Sequence, residues 1–229
     1  MKLLITGATG AIGGMILEYA LRNKDITKVI ALTRKPLPNN DSNEKLESVI
    51  VQDFSNPDTL DDKTWSKLGD ADAMVWAMGT YNLNEDVNLK YPLAFQEALA
   101  KRIPTASRTS KFKFILLSGA FVEPDQSKWL YFLGDERRMK GVLQTKTIEF
   151  AETHQDFWTA LVIRPGGVLF GGDTYRNGAV ECLFGESMAI RGEELAAFVT
   201  GLVVNGSQKT VIENAEMVEG GRELLKESD

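Results

Sequence analysis

The sequence predicts an α/β fold: a Rossmann-like, doubly wound, mostly parallel sheet of about seven strands with helices on both faces. Three observations carry that prediction. Short apolar runs alternate with longer amphipathic segments, the pattern of repeated βαβ units. Six of the runs are nearly continuous in apolar residues, as strands covered on both faces must be. The first run passes directly into Thr6-Gly7-Ala8-Thr9-Gly10-Ala11-Ile12-Gly13, a glycine-rich turn followed by a helical repeat.

The first strand is read at Lys2 to Thr6. A helix from about Ala11 to Arg22 follows, with Ile12, Ile16, Leu17 and Ala20 on one face. Lys28 to Leu32 is the second strand and Ser48 to Val51 the third, across a polar loop with Pro36, Pro38 and Asn39-Asn40. A helix over Pro57 to Leu68 leads to a fourth strand, Ala73 to Ala77. A longer helix over Leu89 to Arg102 leads to a fifth, Phe112 to Leu117. A helix from Gly134 to Thr153 precedes the sixth strand, Trp158 to Ile163. Beyond it the pattern loosens. Pro165-Gly166-Gly167 and Gly171-Gly172 read as turns, and the glycine-bearing stretch from Phe170 to Glu186 reads as a mobile cover. Glu193 to Val204 reads as a helix, Lys209 to Ile212 as a seventh strand and Val218 to Lys226 as a closing helix. Without repeats or linkers, residues 1–229 are expected to form one domain, with a small substrate-covering region over about 165–229.

With 229 residues such a domain needs no disulfide or metal to stabilise its core. The net charge of −6 argues against broad nucleic-acid binding, which draws its affinity from excess Lys and Arg. The lone cysteine, Cys182, allows no intrachain disulfide and fits a reducing compartment; with no histidine near it, it reads as an inert thiol. His154, the lone histidine, reads as a solvated helix end, so no His–Cys metal site is expected. No stretch reaches the ~20 apolar residues of a membrane span. The expected location is the cytoplasm. The expected partner is a small-molecule substrate, with no nucleic acid and no membrane, and the chain a monomer or homodimer.

Gly7, Gly10 and Gly13 have distinct expected tasks. Gly7 permits the sharp turn out of the strand, Gly10 lets the backbone approach an anion, and Gly13 lets the helix pack close to the sheet. The helix N-terminus then offers the unpaired N–H groups of the Thr9, Ala11 and Ile12 region to a pyrophosphate. The end of the second strand chooses between dinucleotides. NAD sites place an acid there for the ribose 2′-hydroxyl, and NADP sites an arginine for the 2′-phosphate. Ala31-Leu32-Thr33-Arg34-Lys35 holds no acid, so Arg34 points to NADP(H); its competing role is a solvated loop charge. Asp53 either accepts from the adenine amino group or caps the next turn. Ala77, Met78 and Gly79 leave a small, flexible edge for the cofactor.

These motifs together resemble the atypical branch of the short-chain dehydrogenase/reductase superfamily. The resemblance rests on Thr6 to Gly13, on Leu32-Thr33-Arg34, on Val162-Ile163-Arg164-Pro165-Gly166, and on the later Glu193-to-Val204 helix with Thr210 to Ala215. It implies a nicotinamide cofactor bound along the sheet edge, with Arg164-Pro165-Gly166-Gly167 at the nicotinamide end. It also implies a serine after the fifth strand, here Ser118, and a Tyr-x-x-x-Lys pair on the next helix. Lys140 matches the lysine, which holds the ribose and is also counted in the cofactor site, but Glu136 stands where the tyrosine belongs. Three explanations stay open. Tyr131 or Tyr81 replaces the missing acid; Glu136 itself acts as acid or base; or the scaffold serves isomerisation, cyclisation, dehydration or NADP redox sensing. Glu136 and Lys140 as a plain surface ion pair, and Arg137-Arg138 as solvated charges, are the bland alternatives.

Overall fold

The computed structural model describes residues 1–37, 43–80, 83–105, 108–171 and 188–228. Its centre is β1 (Lys2–Thr6), followed by α1 (Ala11–Arg22) and β2 (Lys28–Thr33), with Lys2 opposite Lys28 and Thr6 opposite Leu32. β3 (Leu46–Ile50) pairs with β2 at one edge, two residues earlier than the apolar run suggested. On the other side of β1 come β4 (Ala73–Trp76), β5 (Phe112–Leu117) and β6 (Trp158–Arg164).

Two of the expected helices are broken, each for a local reason. The segment from Pro57 begins as a single 3-10 turn, Pro57–Thr59. Asp61 then starts a new helix, α2 (Asp62–Gly69), by accepting from the Thr64 N–H at 2.7 Å. The next helix opens as a π turn, Asp86–Lys90, and becomes α3 (Tyr91–Ala100) at Pro92. Proline lacks the N–H that a regular turn would use there. Inside the π turn, Asn88 is buried and clasps Thr80: its Oδ1 accepts from the Thr80 N–H at 2.8 Å and its Nδ2 donates to Thr80 Oγ1 at 3.0 Å. This clasp fixes the chain just beyond β4.

After α4 (Gly134–Thr153) and β6, the expected turn at Pro165-Gly166-Gly167 instead leads into β7 (Gly167–Leu169). It pairs in parallel with an unexpected strand, β8 (Ala189–Arg191). Then come α5 (Gly192–Asn205), β9 (Val211–Glu213) and α6 (Asn214–Ser228), which begins four residues before the expected closing helix. The main sheet is wholly parallel and runs β3-β2-β1-β4-β5-β6-β9. Among the described residues six α-helices flank it.

Alternate residues of a strand face opposite sides, and here the two sides differ in kind. Leu3, Ile5, Val29, Val75, Ile115 and Leu161 point toward α1 and α5 into an aliphatic layer. Met74, Trp76, Phe112, Phe114 and Trp158 point the other way and meet Phe54, Trp65 and Phe95 in an aromatic layer. The ring contacts there include Phe112 and Trp158 with centroids 4.6 Å apart.

Candidate active site

All seven parallel strands end at one edge, and the loops that leave it enclose a cavity of about 570 Å³. One wall is the glycine turn. Gly7 has φ +71°, and a Cβ there would sit 2.5 Å from the Ala77 carbonyl oxygen. Gly10 N–H donates back to Gly7 O at 2.9 Å, closing the turn. A Cβ on Gly13 would sit 2.2 Å from that same Gly7 oxygen. Gly13 therefore gives way to the turn itself, not to the sheet as the spacing suggested. No side chain caps the start of α1, so its first N–H groups are left to a ligand. Gly10, Ala11, Ile12 and Gly13 line the cavity; Gly7 shapes the turn from behind, and Thr9 is exposed beside it.

The second wall is the end of β4. Thr6 Oγ1 accepts from the Ala77 N–H at 3.2 Å, and Trp76 Nε1 donates to Met78 O at 3.0 Å. Ala77, Met78 and Gly79 are thereby held against the cavity, next to the clasped Thr80.

Arg34 and Asp53 stand off the cavity. Arg34 is exposed just past β2, and buried Thr33 lies with its hydroxyl 3.3 Å from Ser48 Oγ. Asp53 accepts from both the N–H and the hydroxyl of Ser55, at 2.8 and 2.6 Å, and these bonds hold its carboxyl below the usual carboxylate range. The turn thus uses one oxygen of the Asp53 carboxylate, Oδ1, as the capping role expects.

The third wall carries the candidate chemistry. Ser118 extends the β5–β6 pairing by donating its N–H to Ile163 O at 2.9 Å, and Ala120 N–H donates to Pro165 O at 2.9 Å. Ser118, Glu136, Lys140 and Pro165 all line the cavity. Burial pushes the Lys140 ammonium below its ordinary pKa, opposed by the negative charge of Glu136 one helical turn earlier. Lys140 is thus a half-buried group of the cavity wall with Glu136 as its charge neighbour.

Tyr131, a candidate substitute acid, faces outward. It is 92% exposed, edge-on to the Trp129 ring, and is not among the residues that line the cavity. Tyr81 and Cys182 lie outside the described residues, as does nearly all of the expected cover from Phe170 to Glu186. His154 ends α4 as expected, yet is packed: Nδ1 is 2.8 Å from Phe150 O and the ring stacks on Phe150. Among the described residues no group of His, Cys, Asp and Glu comes together to hold a metal ion. None of their helices is long and apolar enough to cross a membrane.

Several site residues escaped sequence reasoning. Thr80, Phe121, Val122, Leu133, Arg137, Val168 and Phe170 also line the cavity. Arg137 is not a solvated charge. Its Nε donates to Phe121 O at 2.6 Å, and its Nη1 reaches Phe132 O at 3.4 Å, so one guanidinium pins both ends of the β5–α4 loop. Arg138 is likewise engaged, to Lys128 O and to the Asp135 carboxylate. The same loop presses on α4 where Gly141 leaves room: a Cβ there would sit 1.9 Å from Glu123 O. Leu133, which starts α4, holds the left-handed conformation (φ 47°, ψ 38°), costly for a branched side chain. The signal in the sequence was the run Trp129-Leu130-Tyr131-Phe132-Leu133, too apolar for an ordinary loop.

Comparison with known proteins supports the site's main feature. The family described as NAD(P)H-binding matches residues 7–205. The leucinostatins biosynthesis cluster protein T of Purpureocillium lilacinum is 34% identical over 79 residues, 34% of this chain and 28% of that protein. The chain thus spans under a third of that relative's length. The mitochondrial protein FMP52 of Kluyveromyces lactis is 24% identical over 99% of this chain and 98% of its own length. The oxidoreductase ylbE of Lactococcus lactis superposes with a TM-score of 0.65 at 20% identity, over 99% of this chain and 97% of that one, a likeness of fold.

Proposed function

Because the chain belongs to the NAD(P)H-binding family, with the fold of an atypical short-chain dehydrogenase/reductase, we propose that it is an NADP(H)-dependent reductase of a small carbonyl or enone-type substrate. One observation carries the reading: a single cavity joins the uncapped start of α1 to Ser118 and Lys140. The turn at Gly7, Gly10 and Gly13 suits a pyrophosphate: it is drawn tight, since a Cβ at Gly7 would collide with the Ala77 carbonyl and one at Gly13 with Gly7 O, and it opens on the uncapped start of α1. Exposed Arg34, with no acid beside it, suits a 2′-phosphate and sets NADP above NAD. Pro165 and the Ala77–Gly79 edge flank the nicotinamide end.

The cofactor, when bound, supplies a hydride. Ser118 hydroxyl donates to the substrate oxygen and polarises it. Lys140 holds the ribose, and its lowered pKa makes its ammonium a readier proton donor than an exposed lysine. Glu136 keeps that lysine charged. Residues 1–229 act as one Rossmann domain, with about 165–229 covering the substrate. The compartment is the cytoplasm or, as its name has it for the Kluyveromyces lactis relative, the mitochondrion; subcellular fractionation decides between them.

A second reading has its own observation. Glu136, a carboxylate lining the cavity beside Lys140, equips the site for proton movement without hydride transfer, as in an isomerase, cyclase or dehydratase. An NADP redox sensor is the non-enzymatic form of the same idea.

Two measurements separate these readings. NADPH and NADH are titrated into wild type and Arg34→Ala. The expected result is at least tenfold tighter NADPH binding in wild type, lost in the variant, as a charge-assisted contact of about 1.5–3 kcal/mol requires. Equal affinities in wild type overturn the NADP assignment. Cofactor consumption is then followed over a carbonyl panel. Consumption supports the reductase, product without consumption supports the second reading, and tight binding without product supports the sensor.

A further inference from the structure

Besides the glycine turn and Ser118, the cavity lining holds an apolar group, Phe121, Val122, Leu133, Val168 and Phe170. Eight large apolar side chains stay exposed among the described residues, and six of them are Phe121, Trp129, Tyr131, Phe132, Leu133 and Phe170. All six belong to the β5–α4 loop or to the residue that follows β7. Soluble proteins rarely gather that much exposed apolar surface without a use for it.

The ionisable groups lining the cavity, among the described residues, are Glu136, Arg137 and Lys140. Glu136 and Lys140 share that lining with Ser118. Arg137 spends Nε and Nη1 on the carbonyls of Phe121 and Phe132 and holds its charge 5.9 Å from the Phe121 ring centre. Among the described residues, the lining therefore offers a substrate carboxylate or phosphate no cation other than Lys140 and an Arg137 already bonded to two carbonyls.

We propose that the substrate is an apolar carbonyl compound. Its hydrocarbon body lies along Phe121, Leu133 and Phe170, and its carbonyl oxygen meets Ser118. The placement of the carbonyl rests on the reductase reading above; the character of the groove does not. The strained start of α4 fits the same picture. Leu133 holds a left-handed backbone and thereby turns an isobutyl group into the groove wall, where glycine would leave a gap.

The test has two arms on the full-length protein. In the first, straight-chain aldehydes from butanal to decanal are assayed with NADPH. In the second, the matching 1-alkanols, which need no turnover, are titrated calorimetrically. KM and Kd should each fall by about three- to fourfold per added methylene until the groove is full. Phe121→Ser should flatten that dependence, and Phe121→Leu should restore most of it; thermal melts confirm that both variants fold. Alkanol binding that ignores chain length overturns the inference, as does a preference for 2-oxo acids or phosphorylated ketoses. Chain-length-dependent alkanol binding with no aldehyde reduced upholds the groove and overturns the reductase reading alone.

Discussion

The glycine turn and the β5–α4 loop face each other across one cavity and are built on opposite plans. The glycine turn is held by backbone: Gly10 N–H bonds to Gly7 O, Gly7 lies against the Ala77 carbonyl, and its shape depends on hydrogen atoms where Cβ atoms would be. The β5–α4 loop leans far more on side chains. Arg137 reaches back 16 residues to Phe121, Arg138 reaches 10 to Lys128, and large rings stay in solvent. A ligand part common to many proteins, such as a pyrophosphate, is served by backbone that tolerates almost no substitution. A part particular to one protein is served by side chains that can be exchanged while the backbone stays pinned.

That contrast breaks first at Gly13→Ala. The new methyl would sit 2.2 Å from Gly7 O, so turn and helix must separate. The expected loss is about 3 kcal/mol of stability, at the upper end of overpacking costs, with NADPH affinity down at least a hundredfold. Urea unfolding and cofactor titration check both; an unchanged affinity removes the turn from the binding site.

Lys140→Met tests the loop side at the reaction end. Turnover should fall by about 10²–10⁴, the usual worth of a placed proton donor, with a smaller change in cofactor affinity. The ammonium is the active form, present below the folded pKa and lost above it. Burial lowers that pKa in the free protein, so the alkaline limb of kcat/KM should lie below the ordinary lysine value of 10.5. Stability has the opposite slope: between the folded pKa and 10.5 the unfolded chain holds more protons, so stability rises with pH there. A kcat/KM limb unmoved in Lys140→Arg removes the lysine from proton transfer.

The smallest effect is expected at Leu133→Asn. Asparagine tolerates the left-handed region, so stability should rise by about 0.5–1 kcal/mol. KM for apolar substrates should rise at the same time. A drop in melting temperature would mean that apolar contacts of Leu133 outweigh its backbone strain.

The same contrast explains what was legible in the sequence. β1, α1, β5 and α4 fall where the apolar runs placed them, because each repeats one period over enough residues. The helix expected from Pro57 breaks because Asp61 is a stronger start signal than the apolar spacing around it. β8 is three residues long and exists only because β7 lies beside it, so no local pattern announces it. At the site, Gly7, Gly10 and Gly13 were readable because a turn constrains its own residues. Arg137 looked like any charge on a helix, since its partners become neighbours only once the loop closes over α4. Asp53 was readable as a cap or a ligand group, and the structure shows the cap, through Ser55, on one of its two oxygens.

Asn214 has a consequence of a different sort. Its Oδ1 accepts from the Gly166 N–H at 2.7 Å and its Nδ2 donates to Ala189 O at 2.8 Å, so one amide holds the strand that leaves the sheet and the strand that returns. The chain between Leu169 and Ala189 therefore starts and finishes at two anchored points. Closing a longer stretch between fixed points costs little, about 0.6 kcal/mol for each doubling of length. The fold thus has a socket: changes of length between those two anchors are expected to cost it little, which urea unfolding of an insertion variant measures.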